Sequence, residues 1–153
     1  MISTPTVSDL AREALSRSDS DVVVMAAAPA DYTPTKPIAA KRPKDAELWT
    51  LELEPTLDVL RELGASRRAG QLLVAFGADH GEAGLERKRA MLANKNADLV
   101  VYNDVGGEGI GFESQDNAVT LVTAAGQREV ARAPKPRIAA AILDEVERLL
   151  GAS

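Results

Sequence analysis

Apolar residues in this chain gather in two kinds of pattern. The runs VVVMAA at 22–27, LLVAF at 72–76 and LVVY at 99–102 are continuous, as in strands covered on both faces, whereas a half-exposed strand would alternate. A helical spacing precedes each run: Val7 to Ser16, Leu57 to Leu63, and Leu85 to Asn94. The segment Arg137 to Leu150 sets Ile138, Ile142, Val146 and Leu149 three or four positions apart, a stripe suited to packing on a sheet. After the third run, AVTLVT and QREVAR flank Ala124 to Gly126, which reads as a β-hairpin.

Strands alternating with helices predict an α/β fold: an open, mainly parallel, Rossmann-like sheet with helices on both faces, followed by the C-terminal hairpin. All 153 residues are expected to form a single domain. Within it, residues 29–47 break the rhythm. Pro29, Pro34, Pro37 and Pro43 share this stretch with Lys36, Lys41, Arg42 and Lys44, and so long a stretch without structure of its own is expected to serve a ligand or partner as an arm or lid.

Composition narrows the chemistry. The chain has no cysteine, which excludes disulfides, thiolate metal sites and cysteine nucleophiles and suits a reducing cytoplasm. A net charge of −5 with 3% aromatic residues offers neither a broad basic face nor stacking platforms, so nucleic acid is not an expected partner. No apolar run approaches the ~20 residues of a membrane-spanning helix, so no membrane association is expected.

In an open parallel sheet, ligands bind outside the carboxyl ends of the strands. Here those ends read AAAPAD, FGAD and YND. They bring Asp31, Asp79 and Asp104 to one edge, as magnesium or polar-group ligands or simply as turn-starting residues. EPTLDVLREL opens a helix with Thr56 as the expected cap, and the amides of Leu57, Asp58, Val59 and Leu60 would form either an anion site or an ordinary helix start. Lys41 is either a mobile cation that closes on phosphate or one of a solvated cluster with Arg42 and Lys44. Lys88, Met91 and Lys95 share one helical stripe, whose two lysines either grip phosphates or face solvent. GGEGIG at 106–111 lacks the spacing and the following helix of a dinucleotide loop. His80, the only histidine, has no second histidine or cysteine with which to share a metal and is expected in a solvent loop.

The order AAPAD at 27–31, a lysine ten residues after Asp31, LELEPTLDVL, VAFGAD, NKNADLVVYNDV and GFESQDNAVTLV resembles phosphopantothenate-cysteine ligase, the synthetase half of the bacterial bifunctional coenzyme A biosynthesis flavoprotein. The resemblance runs from about Asp21 to Leu150. It implies a ligase that activates 4′-phosphopantothenate with CTP as an acyl-cytidylate and then couples it to cysteine. It also implies Lys41 as the cation on the phosphates during transfer, and of the strand-end carboxylates Asp31 is the one expected to hold magnesium. Ala27, Asp31, Lys41, Leu57 to Leu60, Phe76 and Lys95 would then hold the nucleotide. A homodimer completed by the partner's arm and an associated or fused flavin-dependent decarboxylase domain are further implications. Relatives carry lysine where this chain has Met91, and Lys88 is expected to substitute. The family's opening strand, glycine-rich turn and asparagine have no counterpart before Val22, so the chain is expected to be N-terminally truncated relative to the family. Two other readings compete: a non-catalytic nucleotide-binding or dimerisation module, and a dinucleotide-dependent oxidoreductase, which the lack of a strand-to-helix glycine fingerprint opposes.

Overall fold

A computed structural model describes residues 1–17, 19–106 and 116–152. Its main sheet has five strands. Helix α1 (Val7–Leu15) leads to β1 (Val22–Met25), and a short ribbon of β2 (Tyr32–Pro34) and β3 (Leu53–Pro55) intervenes before α2 (Val59–Ser66). Then come β4 (Leu72–Asp79), α3 (Gly81–Asn94), β5 (Leu99–Asp104), the hairpin β6 (Asp116–Thr123) and β7 (Gly126–Pro134), and α4 (Lys135–Leu150). The sheet order is β1-β4-β5-β6-β7. Strands β1, β4 and β5 are mutually parallel, with Val22 opposite Leu72 and Val74 opposite Leu99. Strands β6 and β7 pair as the antiparallel hairpin that the sequence predicts, and β6 joins β5 antiparallel.

Both faces are covered, and the two-residue period of a strand decides which side chain goes where. Leu73 and Ala75 of β4 and Val100 and Tyr102 of β5 pack with residues of α1, α2 and α3. Their neighbours Leu72, Val74, Leu99 and Val101 pack with Ile138, Ile142 and Val146 of α4. Strand β1 is an edge of the sheet, and Val24 on its outer face is half-exposed.

Three details set the site's frame. Asp98, just before β5, accepts hydrogen bonds from the Leu73 amide at 2.8 Å and from two nitrogens of Arg67, fixing β4, β5 and the end of α2 relative to one another. Gly64 of α2 lies so close to the α3–β5 turn that a Cβ there would stand 1.9 Å from the Lys95 carbonyl oxygen. Asn96, in the left-handed region at φ 50°, donates its side-chain amide to the Gly64 carbonyl at 2.8 Å.

The arm differs from expectation. Residues 29–47 are not wholly without structure, because Tyr32 to Pro34 pair antiparallel with Leu53 to Pro55. The strands are three residues long, too short to leave a period in the sequence.

Candidate functional site

The carboxyl ends of β1 and β4 and the start of α2 enclose a cavity of about 510 Å³. Ala27, Asp31, Leu57, Asp58, Val59, Leu60, Phe76 and Lys95, all singled out in the sequence, line it together. Its wall is completed by Gly77, Ala78, Met91 and Asn103, among others. A larger cavity of about 620 Å³ lies between α3 and the β6–β7 turn, at the opposite end of β5. It is lined by small and aliphatic groups with Arg89 and Gln127. The smaller cavity has the converging polar groups and the position that α/β folds use for ligands.

Helix α2 begins two residues later than the sequence suggests. Its cap is Asp58, whose Oδ1 accepts from the Arg61 amide at 3.0 Å, while Thr56 turns outward from the helix. The Thr56 hydroxyl donates to the Ala30 carbonyl and its amide to the Asp31 carbonyl at 2.9 Å, tying the root of the arm across the cavity mouth. A helix's first amides have no intrahelical acceptors. In α2 these belong to Asp58, Val59, Leu60 and Arg61, the last bonded to the Asp58 side chain, while Leu57 precedes the cap. Asp58, Val59 and Leu60 line the cavity with Leu57, so the helix start sets a partial positive charge there.

Lys95 closes the arrangement. It is the C-cap of α3, its amide bonded to the Met91 carbonyl at 2.9 Å, and its ammonium pairs with Asp58 Oδ2. Burial pushes the Asp58 carboxyl up, but the Lys95 contact and the Arg61 amide outweigh it and hold the group below its ordinary range.

Asn103 is the residue sequence reasoning missed. It stands on β5 opposite Ala78, and its Oδ1 is buried and lacks a hydrogen-bond partner among the described residues. Leaving such an acceptor unpaired costs about 1–3 kcal/mol, which a ligand's N–H or O–H would recover. The signal for it in the sequence is its place in YND at a strand's carboxyl end, beside the aspartate.

Two sequence-selected lysines are elsewhere. Lys41 sits in the exposed segment between β2 and β3 and is not part of the cavity wall. Lys88 runs along Gly77, and its ammonium lies 3.3 Å from Asp79 Oδ2, beside the bidentate pair of Arg87 with the same carboxylate. Met91, not Lys88, reaches the cavity. Asp79 is committed to these cations. Asp104 accepts the Gly81 and Gly106 amides, and these bonds hold its carboxyl below the ordinary range. His80 is the exposed N-cap of α3, with no side-chain capping bond. GGEGIG from residue 107 onward lies outside the described residues.

Among the described residues, no group of three or more His, Cys, Asp or Glu side chains is gathered as a metal cluster. Asp31 at the cavity suits an ion of the magnesium type, which can take a single protein carboxylate and complete its shell with phosphates and water, whereas Asp58 is engaged by the Arg61 amide and Lys95. No helix among the described residues is long and apolar enough to cross a membrane.

Comparison with known proteins agrees with the fold. The family model of the DNA/pantothenate metabolism flavoprotein C-terminal domain matches residues 1–150. The coenzyme A biosynthesis bifunctional protein CoaBC of Bacillus subtilis (strain 168) is 39% identical over 132 residues, covering 85% of this chain and 32% of that protein. The crystal structure of the C-terminal domain of a CoaBC protein superposes with TM-score 0.74 at 28% identity, over 96% of this chain and 64% of the other. A Cab2 mutant in complex with phosphopantothenate-cysteine shares the fold, with TM-score 0.59 at 19% identity, over 83% of this chain and 44% of that one. The chain thus spans about a third of the length of the Bacillus relative.

Proposed function

Because the chain belongs to the DNA/pantothenate metabolism flavoprotein C-terminal domain family, we propose that it carries the ligase chemistry of coenzyme A synthesis, coupling 4′-phosphopantothenate to cysteine at the expense of CTP. The observation that carries the reading is the convergence, in one cavity, of the α2 amides, Lys95 and the unpaired Asn103 acceptor. Phosphates fit the first two, through open amides and a cation. Asn103 Oδ1 fits an amino group, such as the exocyclic amine of cytosine, because a buried acceptor selects a donor.

In the proposed first step, a carboxylate oxygen of phosphopantothenate attacks the α-phosphorus of CTP, and the bond to the bridging oxygen breaks to release pyrophosphate. The cysteine amine then attacks the acyl carbon, CMP leaves, and the amine's proton passes to solvent. The chain's contribution is positioning and neutralisation. Leu57 to Leu60 and Lys95 hold the phosphates, and Ala27, Asp31, Phe76 and Asn103 seat the nucleoside. Magnesium, where bound, masks phosphate charge, with Asp31 as its proposed protein ligand. Lys88 stays outside this set while it serves Asp79.

Lys41 is the proposed mobile cation. Its segment is proline-rich, which limits the entropy lost when an extended arm is ordered. Lys41 would reach phosphate when the arm folds over a cavity, its own or that of a second copy in a homodimer. Association or fusion with a flavin-dependent decarboxylase domain and a cytoplasmic setting complete the proposal.

The test is calorimetric titration of CTP, ATP, GTP and UTP with magnesium, followed by pyrophosphate release on adding phosphopantothenate and then cysteine. The proposal expects CTP to bind best and pyrophosphate to appear only with the carboxylate substrate. Lys41→Gln should lower turnover far more than CTP affinity, the mark of a contact made in the transition state. Tight CTP binding without turnover would assign the chain as a nucleotide-binding module instead, and absence of nucleotide binding would end the proposal.

A further inference from the structure

We infer that Asp58 is a placeholder for phosphate, holding Lys95 in the empty site and reclaiming it when pyrophosphate leaves. The inference rests on the nucleotide reading of the cavity. One carboxylate does two separable things here: Oδ1 caps α2 through the Arg61 amide, and Oδ2 holds the Lys95 ammonium. The backbone on both sides is fixed. The Lys95 carbonyl lies against Gly64, the Asn96 side chain is bonded to the Gly64 carbonyl, and Asp58 is anchored as a cap. Only the Lys95 side chain, one-quarter exposed, is left to move.

A phosphate at the Asp58 to Leu60 amides therefore meets an attractive group and a repulsive one. As Lys95 turns towards it, its hold on Asp58 loosens, and Asp58 then faces the phosphate as a like charge. The exchange makes the site weaker for polyphosphate than its amides and lysine alone would be. The same carboxylate draws Lys95 back and so favours release of the inorganic product. Asp58 is thus a positioning residue for Lys95, distinct in role from the amides beside it.

Asp58→Asn separates the two tasks, because an asparagine oxygen still caps the helix while the charge is removed. Pyrophosphate and CTP are titrated separately into the whole chain, wild type and variants, with EDTA present so that no divalent ion bridges carboxylate and phosphate. Asp58→Asn should bind pyrophosphate about 3- to 10-fold tighter at low salt, and the gain should shrink at high salt as screening removes the repulsion. Lys95→Gln should weaken it, and Asp58→Asn should stay folded with a cooperative thermal transition, its midpoint lowered only by the loss of the partly exposed pair with Lys95. Unchanged or weaker pyrophosphate binding in a folded Asp58→Asn protein overturns the placeholder role while wild-type CTP binding leaves the nucleotide reading standing. Failure of every form to bind either ligand overturns both.

Discussion

Asp79 illustrates how a residue's type can be legible while its occupation is not. The sequence places it at a strand's carboxyl end as a ligand candidate, yet Arg87 and Lys88 come from the following helix to neutralise it. Arg87 first, then the His80 amide and Lys88, hold its carboxyl far below the ordinary carboxylate range against a smaller opposing effect of burial. A carboxyl whose folded pKa is depressed stabilises the fold above its unfolded pKa of about 3.9 and loses that contribution as pH falls towards the folded value. Asp79→Asn should therefore be less stable than wild type at pH 7, with the difference narrowing as pH drops below about 4. Denaturant titrations at several pH values check this, and a gap that stays constant with pH would show that the ion pairs contribute nothing. Lys88 follows the same logic: helical spacing put it on the stripe with Lys95, but spacing does not reveal which acceptor lies nearest. Asn103 is hard to read for the opposite reason, since its importance is a hydrogen bond unmet among the described residues, and such an absence leaves no trace in sequence.

At the scale of elements, the parallel strands were readable because burial on both faces leaves continuous apolar runs, and β1, β4 and β5 fall on them. The helix α2 was readable in place but not in its first residues. Thr56 and Asp58 are both good caps, and the choice between them is made by tertiary bonds from Thr56 to Ala30 and Asp31. The ribbon of β2 and β3 was hidden for want of length. The contact of Gly64 with the α3–β5 turn is a tertiary fact of the same kind, and it positions Lys95 for the cavity. Gly64→Ala forces a Cβ into the Lys95 carbonyl, whose backbone cannot yield as a side-chain tip would. It should cost about 1–3 kcal/mol of stability and also weaken phosphate binding. Chemical denaturation together with pyrophosphate titration checks both, and a variant of wild-type stability would show that the two elements part easily.

For the molecule as a whole, alternating strands and helices make the layered architecture legible, whereas the surface of the arm and of the segment returning from it to β3 is not. Tyr32, Ile38, Trp49, Leu51 and Leu53 are all more than half exposed, with Arg42 stacked over the Trp49 ring at 4.8 Å. Apolar residues concentrated on so slender an element suit burial against a second copy. Light scattering should give the mass of a dimer, and Trp49→Ser with Leu53→Ser should shift it towards the monomer. A wild-type monomer at high concentration would remove the arm from any shared site. On the proposed function, one cavity, formed by β1, β4, β5 and the start of α2, holds the nucleotide. The most direct test is a crystal structure of the chain with CTP and magnesium. Phosphates are expected at the Asp58 to Leu60 amides with Lys95 turned to them, and the cytosine amine on Asn103 Oδ1. CTP bound between α3 and the β6–β7 turn, with the first cavity vacant at saturating nucleotide, would contradict the proposal.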